Sequence, residues 1–193
     1  MKMIPGGVTA PRGFQASGVH CGVKKGKGDG NQPPKSGRPE VLDQKKDLAL
    51  IVSEKECAAA AMYTLNRVKA APLYVTMDHL ENGVAQGIIA NSGNANACCP
   101  MSHENAEEMC ALAAAATGLK AADFVVASTG VIGQTLNIAA IARGVPAAAA
   151  ALSRSGSGDA ANAIMTTDTV KKELALACSI GGRTVTLGAI AKG

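Results

Sequence analysis

The architecture of this chain is set by one stretch, Val84-Ala-Gln-Gly-Ile-Ile-Ala-Asn-Ser-Gly-Asn-Ala-Asn96. Its first half, residues 84–90, is mostly apolar and of strand length, and it predicts a buried strand. Its second half, residues 91–96, is polar and contains glycine, which predicts a loop at the end of that strand. Binding and catalytic residues are often carried on loops that a rigid element positions.

Further strands and helices are predicted on both sides of this stretch. Apolar runs predict strands at 48–53, 58–64, 73–76 and 124–133, and a Gly181-Gly182 turn predicts an antiparallel hairpin from 174–180 and 184–191. Helical patterning predicts helices from a Ser102 cap to a Gly118 stop, at 137–143, at 146–152 beyond Gly144, and at 160–165 with Asp159 as the cap. Strands that alternate with helices predict the α/β class.

The composition predicts a core of small side chains. Of the 193 residues, 47% are hydrophobic, yet 37 are Ala, Trp is absent, and Phe and Tyr number two each. An alanine buries little apolar area, so the chain needs close backbone packing or a partner surface to offset the entropy of ordering. We expect one domain over 1–193, with the apolar-free segment 26–40 as a flexible surface loop.

Charge and cysteine usage argue against a nucleic-acid-binding protein and against a zinc-binding protein. The formal net charge is +4, and the basic residues near the N-terminus lie among Gly and Pro with no aromatic residue that could stack on a base; these are Lys24, Lys25, Lys27, Lys35, Arg38, Lys45 and Lys46. A solvated loop is the favoured interpretation over a nucleic-acid site. The six cysteines include no C-x-x-C pair, and Cys98, Cys99, His103 and Cys110 fit no usual zinc spacing. We therefore expect reduced thiols, a cytoplasmic location, no metal, and neither nucleic acid nor membrane as a partner.

Three polar segments follow apolar elements, at 91–96, 128–130 and 166–169. The Ser128-Thr129-Gly130 segment places a hydroxyl beside a glycine, whose N–H permits close approach, and such a pair can hold an oxyanion in acyl transfer. The alternative is that all three are ordinary turns, which use the same residue types. The amides at 91–96 have two open interpretations, since they could line a site or fix their own loop.

Four segments of the chain form an ordered set. They are Val8-Thr-Ala-Pro-Arg-Gly-Phe14 with Gly18-Val-His-Cys-Gly22, Asn91-Ser-Gly-Asn-Ala-Asn-Ala-Cys98, Ala127-Ser-Thr-Gly-Val-Ile-Gly133, and Ala163-Ile-Met-Thr-Thr-Asp-Thr169. In order and spacing this set resembles the ornithine acetyltransferases, or glutamate N-acetyltransferases, of arginine biosynthesis, called the ArgJ family. The likeness covers almost the whole chain outside 26–40.

The resemblance implies a fold and a way of assembly. The family fold is an α/β/β/α-type sandwich, shared with self-processing aminopeptidases of the DmpA type. Family members cut their own precursor before a threonine, so this chain corresponds to the α subunit, and a β chain that begins with the nucleophilic Thr completes it. The implied assembly contains two α and two β chains.

The resemblance also implies a reaction and its residues. The acetyl group moves from N-acetyl-L-ornithine to L-glutamate in a ping-pong course without a cofactor, and whether acetyl-CoA is a second donor stays open. Thr129 and Gly130 match the oxyanion pair, whereas Thr166 and Lys192 match substrate-binding positions. Two alternatives remain: an N-terminal-nucleophile amidase or aminopeptidase of the same fold, and a non-enzymatic binding domain.

Overall fold

The structure is a computed structural model that describes residues 1–24 and 45–193. The loop predicted at 26–40 lies outside the described residues. The strands are β1 Lys2–Met3, β2 Phe14–Val19, β3 Leu48–Ala58, β4 Val84–Asn94, β5 Phe124–Val131, β6 Lys172–Ile180 and β7 Arg183–Ala191. The helices are α1 Ala71–His79, α2 Ser102–Thr117, α3 Ile138–Ala150 and α4 Ser157–Ala163.

A four-stranded sheet of order β2-β3-β4-β5 forms the centre of the fold. Strand β4 pairs antiparallel with β3 and parallel with β5, which aligns Ser92 with Thr129 and Gly93 with Gly130. The predicted strand at 84–90 is therefore confirmed, and it continues to Asn94. The two polar segments at 91–96 and 128–130 lie side by side because two adjacent parallel strands end at the same edge.

The central sheet is buried on both faces. Leu48, Leu50 and Ile89 point to one face and share a core with helices α2 and α3. Their alternating neighbours Ala49 and Ala90 point to the other face, where they pack with α4. Because side chains alternate across a strand, a continuous apolar run is what a strand between two packed layers requires.

A second sheet of order β1-β6-β7 lies on the α4 side of the central sheet. The hairpin predicted around Gly181-Gly182 is confirmed, with Leu176 opposite Leu187 in the register. Ile190 of β7 packs against the apolar cluster on the central sheet. The chain is therefore an α/β protein. Its helical layer, central sheet and second sheet follow one another in the order expected from the α/β/β/α sandwich.

The strand prediction at 58–64 is wrong beyond its first residue, and the strand prediction at 73–76 is wrong in full. Strand β3 ends at Ala58, and residues 73–76 belong to helix α1. Pro72 in the first turn suits a helix start, and Thr76 on this helix bonds to β5, accepting from the Val126 N–H at 3.1 Å and donating to the Val126 carbonyl at 2.9 Å. Tertiary bonds thus give a β-rich run a helical conformation.

The predicted break at Gly144 does not occur. Helix α3 is continuous through Gly144 and Pro146, and a Cβ at Gly144 would lie 2.3 Å from the Cβ of Cys21. Gly144 is therefore a packing contact rather than a helix stop. Helix α4 begins at Ser157 instead of 160, whereas the Gly118 stop of α2 is confirmed by its left-handed φ of 75°.

Close backbone packing confirms the expected core of small side chains. A Cβ at Gly156 would lie 1.7 Å from the Ala16 carbonyl oxygen, and one at Gly18 would lie 2.1 Å from the Asp159 carbonyl oxygen. Ala160 and Ala163 of α4 are fully buried. Among the described residues, no helix has both the length and the apolar character that crossing a membrane requires.

Phe124 is the largest fully buried side chain, and its ring packs over Gly87. We expect Phe124→Ala to lower the free energy of unfolding by about 3–5 kcal/mol, because few neighbours are large enough to fill the space. Urea denaturation of the purified protein measures the change. Leu65→Ala, at a residue that is 98% exposed, is the control and should change little; equal losses for the two variants would contradict the assignment of the core.

Candidate functional site

A cavity of about 240 Å³ lies between the central sheet and β7. Its walls are apolar, with Ala49, Ile51 and Ala90 on the sheet and Ile164 and Ile190 opposite. Four polar residues also line the cavity, namely Asn91, Ser128, Thr129 and Lys192. An apolar cavity with a few convergent polar groups is the usual form of a small-molecule site.

Gly130 follows Thr129 where β5 meets the end of β4. Its φ is +136°, and a Cβ there would lie 2.3 Å from the Gly93 carbonyl carbon and 2.5 Å from the Asn94 nitrogen. A residue with a side chain meets both a strained backbone and a backbone clash at this position. The glycine predicted to belong to the oxyanion pair is therefore required by the local fold as well.

The outer edge of β5 is covered by another element along only part of its length. At its start the edge is covered by α1, where Thr76 bonds to Val126 and the His79 ring lies 2.8 Å from the Phe124 carbonyl oxygen. Backbone groups alternate in direction along a strand, so Gly130 directs its N–H to the same edge as Val126. Thr129 and Gly130 thus lie beyond the covered part of the edge, within the last residues of β5.

The amides of the 91–96 segment fix the loops around this end of β5. Asn94 Nδ2 donates to the carbonyls of Gln134 (3.0 Å) and Thr135 (3.3 Å), and Asn96 Nδ2 donates to the Ser102 carbonyl at 2.7 Å. Asn94 and Asn96 are 7% and 0% exposed. Of the two open interpretations, the hydrogen bonds favour loop fixing for Asn94 and Asn96, whose amide donors are engaged by backbone carbonyls, whereas Asn91 also lines the cavity.

Thr166 and Lys192 are joined by a residue to which the sequence assigned no role, Asp168. The Thr166 N–H donates to Asp168 Oδ2 at 3.0 Å, and the Lys192 ammonium lies 3.6 Å from the same oxygen. The backbone N–H groups of Thr166 and Gly193, followed by Lys172, hold the pKa of the Asp168 carboxyl well below its usual range. The carboxylate therefore stays ionised beside Lys192.

The four predicted site residues thus form two pairs. Thr129 and Gly130 lie within the last residues of β5, so the turn predicted at 128–130 is strand; Thr166 and Lys192 share Asp168, while Thr129 and Lys192 both line the cavity. Asp168 was overlooked because an aspartate within Thr-Thr-Asp-Thr has the composition of a turn. The only available signal was its position between two residues that match the family.

The interpretation of the basic residues as a solvated loop is wrong for Lys24. It is half-buried against Gly93, and its ammonium donates to the Lys46 carbonyl at 2.7 Å. Burial lowers the pKa of the Lys24 ammonium. Its backbone is fixed by the fully buried Asp47 carboxylate, which accepts from the N–H groups of Cys21 (2.6 Å), Gly22 (3.1 Å) and Lys24 (2.9 Å).

Two cysteines are held in unreactive surroundings. Burial raises the pKa of the Cys110 thiol to about 12, and burial together with Asp47 raises that of Cys21 to about 12. A neutral thiol is a poor nucleophile and a poor metal ligand. In the described ranges, no group of three or more His, Cys, Asp or Glu side chains is placed to hold a metal ion.

The fold and the cavity together define a class of protein. It is a two-sheet α/β protein that has a Thr-Gly pair in a strand of the central sheet and a lysine at the cavity between the sheets. A family model described as ArgJ family matches residues 36–193, and the chain belongs to that family.

Relatives and solved structures agree with this assignment. The chain is 50% identical over its full length to the arginine biosynthesis bifunctional protein ArgJ of Symbiobacterium thermophilum and 38% identical over 98% of its length to that of Bacillus subtilis. It spans 44% and 42% of these relatives. The ArgJ structure from Bacillus halodurans superposes with a TM-score of 0.84 at 36% identity, covering all of this chain and 93% of that chain. An ornithine acetyltransferase from Mycobacterium tuberculosis, solved in complex with ornithine, gives 0.81 at 36% identity, with 100% and 94% covered.

Proposed function

We propose that this chain is the α subunit of a self-processing glutamate N-acetyltransferase of arginine biosynthesis, which moves acetyl from N-acetyl-L-ornithine to L-glutamate. The observation that carries the proposal is the cavity, which Thr129 and Lys192 both line in a chain of the ArgJ family; Gly130 directly follows Thr129 in β5. Thr129 and Gly130 form the oxyanion pair, and Thr166 and Lys192 bind substrate. The reaction needs no cofactor, and we place the enzyme in the cytoplasm.

The proposed chemistry uses a nucleophile from the β chain. The hydroxyl oxygen of its N-terminal Thr attacks the acetyl carbonyl of N-acetylornithine, and its own α-amine takes the hydroxyl proton. The Thr129 hydroxyl and the Gly130 N–H donate to the resulting oxyanion. The C–N bond then breaks, ornithine leaves with the transferred proton, and an acetyl ester remains on the threonine. The amine of glutamate attacks this ester, which releases N-acetylglutamate and restores the hydroxyl.

Two observations support a second chain. The outward face of the second sheet is apolar and exposed, with Met3 70%, Leu174 42% and Leu187 53% exposed. Monomeric proteins rarely expose an apolar face of this kind to water. The lengths agree with division into two chains, because this chain spans 44% of the Symbiobacterium relative but 93% of the chain in the Bacillus halodurans structure. We propose an α2β2 assembly in which the β chain covers this face.

The first experiment is intact mass spectrometry with N-terminal sequencing of the protein purified from the full-length gene. We expect two polypeptides that purify together, this chain and one that begins with Thr. A single uncut polypeptide would overturn the self-processing part of the proposal, because no N-terminal Thr would then exist.

The second experiment assays the purified protein with N-acetylornithine, with and without glutamate. We expect continuous release of ornithine only when glutamate is present, with N-acetylglutamate formed in equal amount. Acetate release at the same rate without glutamate would instead identify an amidase of the same fold. Acetyl-CoA in place of N-acetylornithine, in a parallel assay, determines whether it is a second donor.

A further inference from the structure

The Asp168 carboxylate receives four donors in a symmetric arrangement. Oδ2 accepts from the Thr166 N–H at 3.0 Å and lies 3.6 Å from the Lys192 ammonium. Oδ1 accepts from the Gly193 N–H at 3.0 Å and from the Lys172 ammonium at 3.2 Å. Each oxygen thus has one backbone N–H and one lysine, and the side chain is only 3% exposed.

The local charges do not cancel. One carboxylate faces two ammonium groups, so the cluster of Asp168, Lys172 and Lys192 carries one excess positive charge. The two lysines differ in place, because Lys192 lines the cavity whereas Lys172 does not. The Lys192 side chain is also 31% exposed, so an anionic group can reach its ammonium, and a charge-assisted bond to a carboxylate suits it.

Asp168 also restricts the geometry of its partners. A lysine side chain has four rotatable carbon–carbon bonds and samples many rotamers unless a partner orients it. An ionised carboxylate that is itself fixed by two backbone N–H groups is such a partner, because it cannot rotate without losing hydrogen bonds. The same oxygen that faces Lys192 also holds the backbone of Thr166.

We propose that Asp168 is a positioning residue, which holds Thr166 and Lys192 in one geometry for the carboxylate of the amino-acid substrate. This inference rests on the proposed function. N-acetylornithine and glutamate both carry a carboxylate on the carbon that bears the reacting nitrogen. A single Asp168-oriented lysine can therefore serve both halves of the reaction.

The test is Asp168→Asn in the full-length, processed enzyme. We expect KM for both N-acetylornithine and glutamate to rise about tenfold or more, with kcat within about threefold, because the carboxylate orients a binding group and does not face the acetyl carbonyl. The matched control is Lys172→Met, which removes the ammonium on the other oxygen and leaves Lys192 and its oxygen in place. Its KM values should stay near those of the unmodified enzyme.

A double-mutant cycle with Lys192→Met distinguishes positioning from a general structural role. If Asp168 acts through Lys192, Asp168→Asn should raise KM much less in the Lys192→Met background than alone. Equal effects in both backgrounds would overturn the proposal. Unchanged KM values in Asp168→Asn would do the same.

Asp168→Glu is the second variant. It keeps the charge but moves the carboxylate by one methylene. Its KM values should be intermediate between those of Asp168→Asn and those of the unmodified enzyme. If neither variant yields processed enzyme, Asp168 belongs to folding and the positioning proposal is overturned. Failure of the proposed function is a separate result, because the unmodified enzyme would then fail to transfer acetyl to glutamate.

Discussion

Thr129→Ala is expected to lower kcat for acetyl transfer by about 100- to 1,000-fold, the usual cost of removing one oxyanion donor. Thr129 lines the cavity between the sheets, and in the proposed mechanism the bond from its hydroxyl to the substrate oxygen strengthens as negative charge develops. The loss should therefore fall on kcat, with KM for N-acetylornithine little changed. Steady-state kinetics of the processed enzyme measure both constants.

Two neighbouring variants control for this prediction. Thr129→Ser keeps the hydroxyl and should retain most of the activity. Ser128→Ala removes the adjacent hydroxyl. Ser128 also borders the cavity, but its hydroxyl lies 4.0 Å from the Met109 sulfur on the helix side of the sheet, so kcat should stay near that of the unmodified enzyme. A Thr129→Ala enzyme with unchanged kcat would remove Thr129 from the oxyanion pair.

Gly130→Ala is expected to abolish detectable activity and to lower the free energy of unfolding by more than about 3 kcal/mol. The added Cβ would lie 2.3 Å from the Gly93 carbonyl carbon, at a φ of +136° that other residues rarely adopt. The contact atoms belong to the backbone of β4, so a change of rotamer cannot relieve the clash. Urea denaturation and the acetyl-transfer assay measure the two effects.

Gly133→Ala provides the matched control for the backbone conformation. Gly133 also has a positive φ, +78°, but a Cβ there would meet nothing within 4 Å. We expect a loss of about 1–2 kcal/mol, the usual cost of a left-handed conformation without a clash, and an enzyme that remains active. Similar losses for Gly130→Ala and Gly133→Ala would show that close approach to β4 is not the decisive factor.

The strands that carry the candidate site were predictable from local pattern. Residues 84–90 are mostly apolar, and residues 88–90 are continuously so; a strand buried on both faces requires such a run, here with Ile89 on the helix side and Ala90 on the other. The hairpin at 174–191 was predictable for a different reason, because a two-glycine turn accepts the positive φ values seen at Gly181 and Gly182.

The predictions failed where a distant element decides the local conformation. Residues 73–76 have a β-rich composition, yet they form a helix because Pro72 suits the first turn and Thr76 bonds to Val126 across 50 positions of sequence. Gly144 reads as a helix stop, yet it stays inside α3 because it allows Cys21 to approach closely. In both cases the partner is remote in sequence, and no local pattern contains it.

The sequence by itself determined the α/β class, the small-residue core, the polar segments that follow the apolar parts of β4 and β5, and the family to which the chain belongs. These properties follow from periodicity, composition and ordered motifs, all of which are local or additive along the chain. Only the tertiary structure showed that Asp168 joins Thr166 to Lys192, and that Lys192 and Thr129 line one cavity. The physical reason is that short-range hydrogen bonds and ion pairs depend on distances of a few ångströms between elements, which the packing of the two sheets sets and sequence spacing does not.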